Sequence, residues 1–273
     1  MQEYKMPTRE QNSHKGTFGK VLNFCGCKNY IGAAYLSTKS SLKIGAGLSA
    51  LASEKQVISS VSTMLPEAIY LTREEGLKKI DEFSVVLIGC GLGLGISGKN
   101  LLKQVLKKSA NKPLIIDADG LNLLATIDPS PQPSPQGEGA RIITPHPLEA
   151  SRLLGCPVEK VLEDLESSAK ELSKKYNCVT VLKTHRTIIC DKDLNIFINQ
   201  HGNSALAKAG SGDVLAGIIA GLLAQGMSAF EACKLGVYLH SRSGEIASEA
   251  LTEYSVLAND LIDNLSIAIK EII

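Results

Sequence analysis

Val85-Val86-Leu87-Ile88 is apolar at every position, as are Leu114-Ile115-Ile116 and Ile142-Ile143. A strand with one wet face alternates apolar and polar residues, so unbroken runs this short predict strands covered on both faces, as in a parallel sheet. Further strands are expected at Lys20–Phe24, Leu48–Ala52 and Ala68–Leu71, alternating with helices at Tyr35–Ile44, Gln56–Met64 and Glu74–Glu82 and one ending near Ser109. This rhythm predicts an α/β fold, a doubly wound and mostly parallel sheet flanked by helices in a single domain. Ligands of such sheets bind at the carboxyl ends of the strands, so the turns after Ile88, Ile116 and Ile143 should converge on one crevice.

The second half keeps the pattern. Pro147–Leu154 and Val158–Tyr176 read as helices, and Val179–Lys183, Thr187–Cys190 and Asn195–Ile198 as strands, the last two joined at Asp191-Lys192-Asp193 as a hairpin. From Leu215 the chain reads as helix almost to Ile273, broken at Gly226-Met227-Ser228. Residues 1–14 form a polar N-terminal arm ahead of a domain spanning 15–273. Asp128–Ala140, rich in Pro, Ser and Gly, suits neither helix nor ladder and is expected to be an exposed loop insertion. It marks no domain boundary, because the strand–helix rhythm resumes at Arg141.

Composition excludes several partners. A formal net charge of +1 gives no electrostatic basis for binding nucleic acid or an acidic membrane. The absence of Trp removes the best stacking platform for single strands. No apolar run reaches the roughly 18 residues a membrane span needs, and Met1–Lys20 lacks the apolar core of a signal peptide. Seven cysteines, an odd number, show neither zinc nor redox-pair spacing and read as reduced thiols. The expected location is cytoplasmic.

Ala209-Gly210-Ser211-Gly212-Asp213 opens the apolar run Val214–Leu223. Its glycines admit close approach of a ligand, and the helix that follows points free N–H groups and its positive dipole end back at the turn. Asp213 either caps that helix or, beside a bound phosphate, takes a proton. Asp117-Ala118-Asp119-Gly120-Leu121-Asn122 places two carboxylates at a strand end, suited to helix capping, to magnesium through water, or to substrate hydroxyls. Thr144-Pro145-His146-Pro147 holds His146 rigidly at another strand end, a candidate substrate contact. Lys183-Thr184-His185-Arg186-Thr187 is either a basic hairpin turn or a nucleotide grip. Gly93-Leu94-Gly95-Ile96-Ser97-Gly98 matches a dinucleotide fingerprint formally, but Gly93 lies four residues beyond Gly89 and strand–helix units already precede it. Tight strand-to-helix packing, or backbone N–H groups facing a phosphate, are the other readings of these glycines.

Taken in order, Tyr30-Ile31-Gly32-Ala33-Ala34, Gly45-Ala46-Gly47-Leu48, Gly91-Leu92-Gly93, the Asp117–Asn122 segment, Thr144-Pro145-His146-Pro147 with Glu149, and Gly210–Gly217 resemble the ADP/ATP-dependent NAD(P)H-hydrate dehydratases. The resemblance spans about Lys15 to Ile273 and implies a ribokinase-like fold and a metabolite-repair lyase. Such an enzyme phosphorylates the hydroxyl of a hydrated nicotinamide ring with ADP or ATP and eliminates phosphate, restoring NADH or NADPH. The resemblance implies Asp213 as catalytic base. It also implies Ala34, Gly93, His146 and Asp213 against the S-epimer hydrate, and Lys183, Thr184, His185, Arg186, Thr187, Gly210, Ser211 and Gly212 against the adenine nucleotide. Mg2+ is implied without assignable ligands. So are a homo-oligomer (a tetramer) and a separate epimerase, because the epimerase domain often fused in this family is not found in these 273 residues. The chain departs from the family at Cys90, where Pro is common, and at Leu148, where Gly often follows His-Pro.

Overall fold

Strands β1 (Lys20–Phe24), β2 (Leu48–Ser53), β3 (Ile69–Thr72), β4 (Val85–Ile88), β5 (Leu114–Ile116), β6 (Arg141–Ile143), β7 (Val179–Leu182), β8 (Ile188–Cys190) and β9 (Ile196–Ile198) form one sheet. Their order is β3-β2-β1-β4-β5-β6-β7-β8-β9. Neighbours are parallel as far as β7, and β8 and β9 close the edge antiparallel. This is a computed structural model, and it describes residues 4–127 and 140–273. The insertion expected over 128–140 thus lies, except for Ala140, outside the described residues.

Helices α1 (Ile31–Lys43), α2 (Lys55–Ser62), α3 (Arg73–Lys79), α4 (Ile96–Lys108), α5 (Asp119–Leu124), α6 (Pro147–Leu154), α7 (Val158–Glu163), α8 (Leu165–Tyr176), α9 (Ser211–Ala224), α10 (Ala229–Leu251) and α11 (Ala258–Lys270) cover both faces. The apolar runs divide as a pleat requires. Val85 and Leu87 enter the core shared with α1, α9, α10 and α11, whereas Val86 and Ile88 enter the core under α3, α4, α6 and α8. All four are fully buried, which is why no polar residue interrupts β4. None of the described helices is long and apolar enough to cross a membrane.

The register aligns the strand ends. Phe24 lies beside Ile88, Ile88 beside Ile116, and Ile116 beside Ile143. The turns that follow therefore meet at one edge of the sheet, as the strand pattern predicts. Between β1 and β4 the winding reverses direction, opening the crevice typical of this topology.

Helix α9 is the central element of its layer: every residue except Gly212 and Asp213 is buried. It crosses α1 closely because both helices present small side chains. Ser37 and Ser40 of α1 return their hydroxyls to the carbonyls of Ala33 and Leu36, at 2.8 and 2.7 Å, and so bury no unpaired polar group. On the α9 side, a Cβ at Gly217 would stand 2.0 Å from Ser40 Oγ and 2.3 Å from Ser37 O. Gly217→Ala is therefore expected to push the two helices apart and cost about 1–3 kcal/mol by overpacking, read as a lowered urea midpoint. A midpoint equal to or above wild type would show that this crossing is slack.

Local expectations fail where tertiary or turn chemistry intervenes. Helix α1 starts at Ile31, earlier than Tyr35. The expected helix Val158–Tyr176 divides at Asp164, whose carboxylate accepts the Ser167 N–H at 2.9 Å and starts α8 afresh. The C-terminal run breaks a second time after Leu251, where Thr252 turns with φ +71°. The expected Glu74–Glu82 helix ends at Lys79 and continues as a 3-10 turn to Glu82. The arm packs back onto the fold, with Tyr4 stacked on Tyr238 at 4.0 Å and Arg9 donating to Gly45 O at 2.9 Å. All seven cysteines are unpaired.

Candidate active site

The site starts from the turn after β5. The Gly120 N–H returns to Asp117 O at 2.9 Å, and Ala118 between them takes φ 49° and ψ −121°, a conformation costly for a residue with a side chain. The turn can lie this close to the neighbouring loop because Gly89 has no side chain. With φ +125°, a Cβ there would sit 2.0 Å from Asp117 O. The strained turn brings the Asp117 carboxylate to the crevice and turns that of Asp119 to the neighbouring glycine loop. Asp119 Oδ2 accepts the Gly93 N–H at 2.8 Å, tying the glycine run after β4 to this turn. Asp117, only 1% exposed, accepts the Thr144 hydroxyl at 2.7 Å and the Lys183 ammonium at 2.7 Å, both on Oδ1.

Across the crevice stands the first turn of α9. Among the described residues, no backbone carbonyl accepts the N–H of Gly212 or Asp213. A Cβ at Gly212 would lie 3.3 Å from Lys183 Nζ and 3.8 Å from Asp117 Oδ2. Free amides, a helix dipole and an ammonium group thus face the same space, the makings of a phosphate seat. Asp213 borders it. Burial pushes its carboxyl up to about 7, and the Asp117 charge adds to that; the Cys90 thiol and Lys183 pull the other way. The Cys90 sulfur and one carboxylate oxygen each of Asp117 and Asp213 lie within 4.8 Å of one another. Burial works against the Lys183 charge, but Asp117 and Glu149 outweigh it and hold the ammonium above the ordinary lysine value.

The Thr144–Glu149 segment supplies the third wall. His146 begins α6 and its Nδ1 accepts the amides of Leu148 and Glu149, at 3.2 and 3.4 Å. An Nδ1 that accepts leaves the ring proton on Nε2, which faces Glu149 Oε1 at 3.4 Å. Burial and then Lys183 hold His146 below its ordinary value, so the ring is neutral at pH 7. Glu149 accepts the His146 N–H at 2.9 Å and lies 4.0 Å from Lys183 Nζ. Burial pushes its carboxyl up to about 7.

A cavity of about 810 Å3 joins these walls and takes in Asp117, His146, Glu149, Lys183, Thr184, His185, Thr187, Gly210, Ser211, Gly212 and Asp213. Three expected site residues are not brought to it. Ala34 is fully buried in α1, packed where a Cβ on Gly26 would meet it at 2.7 Å. Gly93 spends its N–H on Asp119, and Gly98 packs against it so closely that a Cβ there would lie 2.3 Å from Gly93 O, the packing reading of those glycines. Arg186 does not line the cavity; its carbonyl accepts the Thr184 hydroxyl at 2.7 Å. A second cavity of about 910 Å3 lies beyond the 203–208 loop, but Glu245, Glu249 and Glu253 make it a poor phosphate host.

Sequence reasoning missed His240. Its Nε2 lies 3.0 Å from both the hydroxyl and the carbonyl of Ser211, and burial pushes it down to about 4, so it is neutral and donates to that carbonyl. It therefore braces the first turn of α9 from α10. The available signal was a polar ring inside the apolar run Val237-Tyr238-Leu239-His240, a position that demands a buried partner. His201, Asn203 and Leu206 on the long loop after β9 also reach the cavity, and only the tertiary fold brings them there.

A partly buried carboxylate beside a helix-end anion seat, at the carboxyl edge of a doubly wound sheet, defines a class: an α/β enzyme equipped for chemistry at a phosphate. The particular family follows from comparison. The chain belongs to the NAD(P)H-hydrate dehydratase family, whose model matches residues 21–266. An ADP-dependent (S)-NAD(P)H-hydrate dehydratase of Neisseria meningitidis serogroup B is 37% identical over 89% of this chain and 81% of its own. The crystal structure of ADP/ATP-dependent NAD(P)H-hydrate dehydratase from Bacillus subtilis, co-crystallized with ATP/Mg2+, matches with a TM-score of 0.86 at 32% identity, covering 98% of this chain and 95% of that one. A ribokinase-like superfamily protein from Enterococcus faecalis V583 matches with a TM-score of 0.88 at 32% identity, covering 98% and 92%, which makes the fold ribokinase-like. The chain also matches bifunctional NAD(P)H-hydrate repair enzymes, spanning about half (52%) of the length of the first of them.

Proposed function

We propose that this protein removes water from the hydrated nicotinamide ring of NADH or NADPH, acting on the S epimer with ADP or ATP as phosphoryl donor. The observation that carries the reading is Asp213: a partly buried carboxylate at the edge of a phosphate seat, which would repel the ligand unless it had a proton to take. The family and the activities named for its relatives support the same reading.

Hydroxide is a poor leaving group and phosphate a good one, so phosphorylation makes the ring carbon–oxygen bond labile. Asp213 takes the hydroxyl proton as the oxygen attacks the terminal phosphorus of the nucleotide. The Gly212 and Asp213 amides and the Lys183 ammonium face the charge on the transferred group, already oriented before it arrives. The adenine nucleotide lies along Lys183–Thr187 and Gly210–Gly212. The hydrate lies against His146 and Asp213, its remaining length running toward Gly93.

The phosphates imply Mg2+, and the donor set tests its fit. Asp117 Oδ2, the oxygen not taken by Thr144 or Lys183, is a hard ligand at the seat, whereas the Cys90 thiol near it at 3.8 Å is not one for this ion. Asp117 would hold the ion, largely through water. When bound, Mg2+ neutralises phosphate charge. A homo-oligomer in the cytoplasm, and a separate epimerase that supplies the S epimer, complete the proposal.

The test is a stoichiometry. Hydrated NADH supplied with ADP or ATP is expected to give one inorganic phosphate for each reduced ring restored, with ADP leaving as AMP or ATP as ADP. Phosphate comes free because elimination follows transfer in the same cavity. A phosphorylated dinucleotide that accumulates without recovery of the reduced-ring absorbance would make the protein a kinase.

A further inference from the structure

Dehydration through a phosphorylated ring needs two proton removals, and Asp213 accounts for one. Water adds to an enamine with its hydroxyl on the carbon bonded to nitrogen and its hydrogen on the neighbouring carbon. Reversing that addition leaves a carbon-bound proton to be taken after phosphate departs. Resting on the proposed function, we propose that Glu149 is the base that accepts this carbon-bound proton.

The geometry separates the candidates. His146 stands in the cavity but has no free lone pair, because Nδ1 accepts two amides and Nε2 carries the proton that faces Glu149. Asp117 is committed to Thr144 and Lys183 through one oxygen and lies under the phosphate seat with the other. Asp213 already holds the hydroxyl proton. Glu149 lines the same cavity with its side chain only 5% exposed and its Oε2 4.0 Å from Lys183 Nζ. Its hydrogen-bond contacts, the His146 N–H at 2.9 Å and the His146 Nε2 at 3.4 Å, orient both oxygens, while the Lys183 ammonium stands off at 4.0 Å and is held at 2.7 Å by Asp117. Burial raises this carboxyl, like that of Asp213, into the neutral range, where a group gives and takes protons readily.

The steps balance. The hydroxyl O–H bond breaks to Asp213, a new O–P bond forms, and the P–O bond to the shortened nucleotide breaks with its electron pair leaving on that nucleotide. The C–O bond then breaks with its pair leaving on phosphate, while the ring nitrogen lone pair forms C=N+. Finally the neighbouring C–H bond breaks to Glu149, its pair forms the C=C bond, and nitrogen regains its lone pair. Both carboxyls release their protons to water.

The experiment compares wild type with Glu149→Gln and Glu149→Asp, using hydrate prepared in D2O so that the neighbouring ring carbon carries deuterium. Gln keeps an oxygen that accepts the His146 N–H and so keeps the start of α6. In Glu149→Gln, restoration of the reduced ring is expected to slow by about 10²–10⁴ and to show a primary deuterium effect, while single-turnover nucleotide cleavage stays close to wild type. Glu149→Asp is expected to recover part of the restoration rate. The inference is overturned if nucleotide cleavage falls in step with restoration, or if restoration in Glu149→Gln matches wild type. Wild type that cleaves nucleotide but never restores the ring would instead refute the dehydratase reading itself.

Discussion

Asp213→Asn is expected to lower turnover by about 10²–10⁴, the usual loss when one general base is removed, while adenine-nucleotide affinity stays near wild type. Asn keeps the size of the side chain and leaves the Gly212 amide and Lys183 where they are, so the phosphate seat survives. The same group predicts the pH profile. Its carboxyl sits at about 7 and must be ionised to act, so kcat/KM should fall tenfold per pH unit below about 7. Stability runs the opposite way. The folded protein holds this proton far more tightly than the unfolded chain, whose carboxyl titrates near 3.8. Asp213 therefore favours the folded state at low pH and loses that advantage as pH rises through 7. Asn never ionises, so the variant should melt higher than wild type at pH 8, the gap closing toward pH 4. Thermal melts across that range check it. A variant that is active and melts lower would make Asp213 a helix cap and nothing more.

Lys183→Met carries the second large effect and a contrasting signature. Asp117 is 1% exposed, and Lys183 at 2.7 Å is the cation that compensates it. Removing one partner of such a pair strands the other charge, at about 3–5 kcal/mol for a fully buried pair. Lys183 keeps 19% side-chain exposure, which places the expected loss at the low end of that range, about 3 kcal/mol. The Met variant should therefore melt well below wild type at pH 7. Its nucleotide affinity should fall about ten- to hundredfold, the worth of one charge-assisted contact. Titration calorimetry with ADP reads this directly. Unchanged nucleotide affinity would show that Lys183 only neutralises Asp117 and never meets a phosphate.

The two variants also divide the site by function. Losing Asp213 removes a proton acceptor from an intact seat, whereas losing Lys183 damages the seat and the buried charge behind it. A result with the signatures exchanged, affinity lost in Asp213→Asn and kept in Lys183→Met, would reverse the assignment of the two side chains.

Much of this protein is written in local pattern. Val85–Ile88 and Leu114–Ile116 announce buried parallel strands because a strand covered on both faces has no place for a polar residue, and the structure places them at the sheet centre. Gly210–Asp213 announces an anion seat because a helix N-terminus carries free amides wherever it occurs, and among the described residues no backbone carbonyl takes the Gly212 or Asp213 amide. What sequence leaves undecided is set by contacts between distant segments. Nothing near His240 foretells that it braces Ser211, 29 residues away, because that contact exists only once α10 packs on α9. Lys183 reads locally as part of a basic turn, and its pairing with Asp117, 66 residues distant, comes from the alignment of β5, β6 and β7 in the sheet. The proton affinities of Asp213 and Glu149 are likewise products of the assembled fold. A carboxyl in an unfolded chain is solvated and ordinary, and only burial among other charges moves it to where it can exchange protons near neutrality.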